Sequence, residues 1–182
     1  MRATALALPG VMLIEHREFD DARGAFFESW NERDFAAAGI AARFVQENVS
    51  RSRAYVLRGL HYQIRQTQGK LVRVLAGAIF DVVVDLRRSS AHFGRSLAVP
   101  LEAAAARSLW VPPGFAHGFC VTSETADFVY KCTSLYAPDS ERGIAWNDPD
   151  LAIPWPASAP LLSKKDAAAP RLKDAPVLPR YE

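Results

Sequence analysis

The chain has few cysteines, little net charge and no long apolar run, and each shortage removes a class of function. Its two cysteines, Cys120 and Cys132, lie in apolar, strand-like sequence without CxxC spacing, so no zinc or dithiol redox motif is in sight. Buried free thiols in a reducing compartment are expected. A net charge of +2 leaves no cationic surplus for nucleic acid, whose binders cluster basic residues on one face or helix. An anionic ligand must then be held by a few placed cations. No apolar run approaches the ~20 residues of a membrane helix. Ala3 to Ile14 is broken by Pro9-Gly10 and followed at once by Glu15-His16-Arg17-Glu18, which predicts a first strand rather than a signal peptide. The expectation is a cytoplasmic protein with no nucleic-acid or membrane partner.

What the chain does have is β pattern. The 182 residues, 49% hydrophobic and 23% charged, suit a single globular domain with a sizeable core. The division expected is an N-terminal arm over about residues 1–50, a barrel core over about 51–136 and a tail over about 137–182. Ala78 to Leu86 alternates Phe80, Val82, Val84 and Leu86 with Ile79, Asp81, Val83 and Asp85, a strand with one strongly apolar side and two aspartates on the other. Further strands are predicted over Ala54 to His61, Leu71 to Leu75, Ser96 to Val99, Ser108 to Val111, Gly118 to Val121 and Phe128 to Tyr136. Many short strands at this spacing indicate a sandwich or barrel. Helices are few: Asn31 caps one through Ala38 with Gly39 as its stop, and the alanines at 103–106 make at most one helical turn. The Pro- and Trp-rich tail from Ala137 is expected to pack over the barrel.

Chemistry concentrates in two segments. Leu57-Arg58-Gly59-Leu60-His61-Tyr62-Gln63 is followed by Lys70, and Pro112-Pro113-Gly114-Phe115-Ala116-His117-Gly118-Phe119 carries a second histidine. Simple alternation puts His61 on the face of Leu57, Gly59 and Gln63, away from Arg58, with the glycine leaving space beside it. The competing reading is a satisfied core histidine. Metal binding by His61 and His117 lacks a third ligand, because Gln63 stands where a second strand histidine would complete the set and neutral Gln is a poor ligand; no metal and no cofactor are expected. Arg23, Glu28, Gln46 and Asn48 are forked donors and acceptors of the kind that hold a diphosphate, a base or sugar hydroxyls. Read alone, each is a surface residue, Tyr130 is a core aromatic, and Asp166 is a surface residue or the cap of a short helix.

The same segments resemble the dTDP-4-dehydrorhamnose 3,5-epimerase family of cupin-fold enzymes. The resemblance runs through Asp21-Ala22-Arg23-Gly24-Ala25-Phe26-Phe27-Glu28, Val45-Gln46-Glu47-Asn48, the His61 segment, Gln68-Gly69-Lys70-Leu71-Val72, Phe80 to Asp85, Gly114 to Phe119, Trp146-Asn147-Asp148-Pro149 and Leu162-Ser163-Lys164-Lys165-Asp166. It implies an all-β cupin-type jelly-roll (double-stranded β-helix) barrel with a few short helices and a packed C-terminal tail, working as a homodimer. It also implies a dTDP-linked 4-keto-6-deoxy sugar as ligand, inverted at C3 and C5 without metal or cofactor. By the same resemblance His61 is the base, Asp166 its carboxylate partner, Tyr130 the acid and Lys70 the cation near the ketone oxygen. Arg23, Glu28, Gln46, Asn48, Arg58, His117, Glu141 and Lys165 fall on substrate-contacting positions.

The chemistry is coherent. A proton next to a ketone is acidic because the charge left behind spreads onto the carbonyl oxygen, which a placed cation stabilises. A histidine oriented by a carboxylate removes it, and a phenol on the opposite face returns one. The rival readings are an epimerase acting at one carbon, a ketoisomerase of the same fold, and a non-catalytic cupin that binds a nucleotide sugar. The last has no use for His61, Lys70, Tyr130 and Asp166 together.

Overall fold

Side-chain alternation sorts the chain into layers. The computed structural model describes residues 1–179. Its elements are β1 (Arg2–Ala5), β2 (Met12–Glu15), β3 (Glu18–Asp21), β4 (Gly24–Phe27), α1 (Glu32–Ala37), β5 (Gln46–Arg53), β6 (Leu57–Gln63), β7 (Lys70–Ala76), β8 (Ala78–Asp85), β9 (Ser96–Glu102), β10 (Arg107–Val111), β11 (Phe115–Val121), β12 (Thr125–Cys132), β13 (Glu141–Gly143) and α2 (Lys164–Ala167). One sheet runs β1-β2-β10-β7-β12-β5, a second runs β13-β6-β11-β8-β9, and β3 and β4 form a separate hairpin. The two large sheets face each other as an antiparallel jelly roll.

Alternate residues of both sheets meet in the middle. Val72 and Val74 of β7, Leu109 and Val111 of β10 and Phe128 of β12 pack against Ile79 and Val83 of β8, Leu101 of β9 and Phe119 and Val121 of β11. The outer face of the five-stranded sheet is covered as well: Val82, Val84, Leu86 and Tyr62 pack under Ile144, Leu151, Trp155 and Leu178 of the tail. β8 is therefore buried on both sides, and Asp81 and Asp85 share a fully buried face. On the six-stranded sheet, α1 supplies Phe35 to a cluster with Ile14, Leu71 and Trp110.

The jelly roll and the packed tail are as expected. Asn31 caps α1 by accepting from the Asp34 N–H, and Ala103–Ala105 form one 3-10 turn. Several boundaries differ. The single strand expected over Ala3 to Ile14 is a hairpin of β1 and β2, because Pro9-Gly10 makes a turn with Gly10 at φ +90. The strand expected over Phe128 to Tyr136 ends at Cys132, where Thr133 turns to bond Gly69 instead. β5, β13 and the β3–β4 hairpin were not foreseen. Among the described residues no helix is long and apolar enough to cross a membrane.

Candidate active site

A cavity opens between the two sheets, beside the apolar core. One lobe, of about 320 Å³, is lined by Arg58, His61, Lys70, His117, Tyr130, Glu141, Lys165 and Asp166, with Ser50 and Phe128 among its other walls. An adjoining lobe of about 270 Å³ shares His61, Lys70, Tyr130, Tyr136 and Glu141 and adds Gln46, Asn48, Gln63 and Gln68. β6, β11 and β13 form one wall; β5, β7 and β12 form the other.

His61 and Arg58 line the same lobe, which corrects the strand-alternation reading. His61 pairs with His117, while Arg58 pairs with Phe119. Three steps on β6 thus match two on β11, a bulge that shifts the facing of every residue beyond it. The peptide between Gly59 and Leu60 in this bulge is cis. Nor does Gly59 leave space: a Cβ there would meet the Gly118 Cα at 2.5 Å and the His117 carbonyl oxygen at 2.9 Å, and φ is +126. Two glycines are needed because the backbones touch.

Asp166 is not at the surface and is not a cap. Ser163 caps α2 by accepting from the Asp166 N–H, and the Asp166 side chain is turned inward and buried. Its Oδ1 lies 2.6 Å from His61 Nε2. A carboxylate only accepts, so Nε2 carries the proton and Nδ1 is left as the ring's basic nitrogen. Burial pushes the Asp166 carboxyl upward, but the His61, Ser163 and Gly59 donors outweigh it and hold it below the usual carboxylate range. It therefore stays an anion that orients the imidazole.

A second pair adjoins the first. His117 Nε2 donates to both oxygens of Asp81 at 2.9 and 3.0 Å, with Asp81 fully buried. From the opposite sheet, Tyr130 reaches the cavity instead of ending in the core. Burial is the largest influence on its phenol and, with Cys132 and Glu141 nearby, pushes it above its ordinary value, so it keeps its proton near neutral pH. The Lys70 ammonium lies 5.9 Å from the centre of the Tyr130 ring; burial lowers it, opposed by Cys132, Asp81 and Glu141. Glu141 is bonded by Lys165 and, at 2.7 Å, by the Tyr136 hydroxyl. Arg58 Nε donates to Ser52, and Gln46 donates to Asn48 at 3.0 Å.

The arrangement offers an oriented imidazole and a protonated phenol on opposite walls, with the Lys70 amine on the phenol's wall. This is equipment for moving a proton on and off a carbon acid. The model of the dTDP-4-dehydrorhamnose 3,5-epimerase family matches residues 5–174. The chain belongs to this family. It is 56% identical to the dTDP-4-dehydrorhamnose 3,5-epimerase of Pseudomonas aeruginosa, over 98% of this chain and all of that one. The crystal structure of the Legionella pneumophila dTDP-6-deoxy-D-glucose-3,5-epimerase in complex with dTDP-4-keto-L-rhamnose superposes with a TM-score of 0.95 at 50% identity, covering 100% of this chain and 98% of that one. A 3'-monoepimerase from Streptomyces bikiniensis in complex with dTDP-quinovose follows at TM-score 0.91 and 36% identity, covering 97% and 92%. This chain is thus an enzyme of the epimerase class, with the cupin fold.

Two of the positions that the family resemblance singled out stand apart from the cavity of this epimerase-family chain. Arg23, at the tip of the β3–β4 hairpin, forks onto Asp21 at 2.5 and 3.2 Å, and Glu28 accepts from Asn31 at 3.2 Å. Both are exposed, as are Phe19 and, at 70%, Phe26 on the same hairpin. Other residues of the site gave little local signal. Asp81 was seen only as one of two aspartates on a face, although a carboxylate on a buried face needs a partner. Gln63, which in sequence only stands where a second strand histidine would complete a metal set, lines the cavity beside Tyr136.

Proposed function

We propose that this enzyme binds a dTDP-linked 4-keto-6-deoxy sugar and inverts it at C3 and C5, converting dTDP-4-dehydro-6-deoxy-D-glucose to dTDP-4-dehydro-L-rhamnose in the cytoplasm. The observation that carries the reading is the 2.6 Å His61–Asp166 pair set across the cavity from a protonated Tyr130. His61 takes the proton next to the ketone, Lys70 balances the charge that gathers on the ketone oxygen, and Tyr130 returns a proton from the other face. Arg58 and Lys165 supply positive charge for the diphosphate; Gln46, Asn48, His117 and Glu141 supply hydrogen bonds. No metal or organic cofactor takes part.

The chain works as one domain and as a homodimer, in which the exposed β3–β4 hairpin carries Arg23 and Glu28 to the partner's cavity. Phe19 and Phe26, left bare on a two-stranded ribbon, support this, because a lone hairpin is marginal in water. Light scattering should give a dimer, and a fully active monomer at assay concentration would overturn the assignment of Arg23 and Glu28.

Incubation with the 4-keto sugar nucleotide in heavy water, followed by NMR, tests the whole scheme. Deuterium should enter at both C3 and C5 with inversion at both. Inversion at one carbon alone would favour the single-carbon reading, which the 36% identical monoepimerase keeps in view. Tyr130→Phe should leave exchange in place while inversion falls steeply, since the histidine remains and the opposing acid is gone. An unchanged ratio of inversion to exchange would remove Tyr130 from the mechanism.

A further inference from the structure

β6 ends at Gln63, opposite Glu141 of β13. The Gln63 amide is buried at 4% exposure, and both of its ends are committed to backbone. Nε2 donates to the Gln66 carbonyl at 2.8 Å and to the Leu135 carbonyl at 3.3 Å, while Oε1 accepts from the Ala137 N–H at 2.8 Å. Those partners belong to two segments beside the cavity, the β6–β7 loop and the stretch that follows β12.

Tyr136 lies between Leu135 and Ala137. It lines both lobes of the cavity yet is 51% exposed. A ring so far out of the protein has little packing to direct it, so its aim must come from its backbone and its polar tip. The tip is tied to Glu141 and its own N–H to Gln46 at 2.7 Å. The residues on either side are both held by Gln63. Bonds from Gln68 to Ser134 and from Ser134 to Thr67 lace the same two segments together further back.

We infer that Gln63 is a positioning residue that holds Tyr136 across the cavity by gripping the backbone on both sides of it, and that ligand affinity depends on this grip. A glutamine suits the position because one planar amide donates to carbonyls and accepts from an N–H at once. Methionine, of similar length, can do neither. Glutamate keeps the acceptor for Ala137 but turns a second oxygen towards two carbonyl oxygens.

The inference rests on the cavity being a nucleotide-sugar site, and the test separates the two. Calorimetry with dTDP is run on the full chain, Gln63→Met, Tyr136→Ala and the double variant. Gln63→Met should weaken dTDP binding about tenfold, and by less than about twofold once Tyr136 is already alanine. With the sugar nucleotide, KM should rise while kcat changes little. Gln63→Glu should fall between the parent and Gln63→Met, and it replaces the methionine variant if that one does not fold. Additive losses in the double variant, or unchanged dTDP affinity in a variant that merely melts earlier, would overturn the role. Hydrogen exchange without ligand completes the test: the amides of Tyr136 and Ala137 should lose protection in Gln63→Met while β12 keeps its own. If the parent fails to bind dTDP, the nucleotide-sugar reading falls and the exchange result alone decides the grip, with undiminished protection counting against it.

Discussion

Between the two sheets, one stretch of interior is filled by Val72, Val74, Ile79, Leu109 and Val121, and the neighbouring stretch is lined by Gln46, Asn48, His61, Lys70 and His117. The same strands build both. β7 passes from Lys70 in the cavity to Val72 and Val74 in the core, and β12 passes from Tyr130 to Phe128. Phe119, Phe128 and Tyr130 mark the boundary as a run of rings with centroids 4.4 and 5.5 Å apart. The core side is held by area removed from water and by dense packing, which tolerate no void. On the cavity side every buried polar group needs a partner, and the pairs His61–Asp166 and His117–Asp81 meet that need through one nitrogen of each ring. A jelly roll can therefore spend one end of its interior on stability and the other on reactivity.

Substitutions on either side should fail differently. The largest effect is expected from His61→Asn, which removes the proposed base but keeps a polar group facing Asp166. Turnover and deuterium uptake should fall by about 10²–10⁴-fold with the melting temperature nearly unchanged. Exchange at the parent rate would break the distinction. On the core side, Leu109→Ala should lower unfolding free energy by about 2–5 kcal/mol in urea titrations while turnover per folded molecule persists. If activity fell with stability intact, core and cavity would be coupled.

His16 sharpens the contrast from a third place. It is buried, its ring centroid is 5.4 Å from that of Phe27, and its Nε2 is 2.8 Å from the Ser108 hydroxyl. Burial first, and then the charge of Arg73, lowers its pKa from 6.5 to about 4. The folded state thus resists a proton that the unfolded chain accepts. The stability this represents is present above the unfolded value and is lost as pH falls from 6.5 towards 4, by about 2 kcal/mol at pH 5. Urea unfolding at pH 7 and pH 5 should show the loss, and His16→Phe should flatten it. The smallest effect is expected from metal removal, because the Gln63 oxygen is already committed to Ala137 and the described residues contain no cluster of three His, Cys, Asp or Glu side chains able to hold a metal ion. Exhaustive chelation should leave turnover unchanged, and a loss restored by one divalent ion would place a metal in the cavity.

Legibility followed the same division. Strands that feed the core, β7, β8 and β10, are rich in Val, Leu and Ile and lie near the positions expected from the sequence. β5 was missed because its inward residues, Gln46, Asn48, Ser50 and Ser52, are polar, while outward Val49 is exposed. Its pattern is that of a strand turned inside out, since it faces the cavity. The histidine segments stood out because they combine uncommon residues with Gly and Pro.

The sequence by itself determined the β architecture, the helix stop at Gly39, the family and the residues able to carry charge and protons. These are local or compositional properties, readable from period-2 alternation, capping and short motifs. Tertiary structure alone decided which of them meet. His61 and Asp166 are 105 residues apart in the chain, a separation no local pattern spans, and their contact decides which imidazole nitrogen is free. One extra residue in the β6 bulge brings Arg58 round to the side of His61, because with a side-chain period of two a single-residue offset reverses the face. The direction in which Tyr136 points depends on backbone atoms held by Gln63, and those atoms are the same in every residue type.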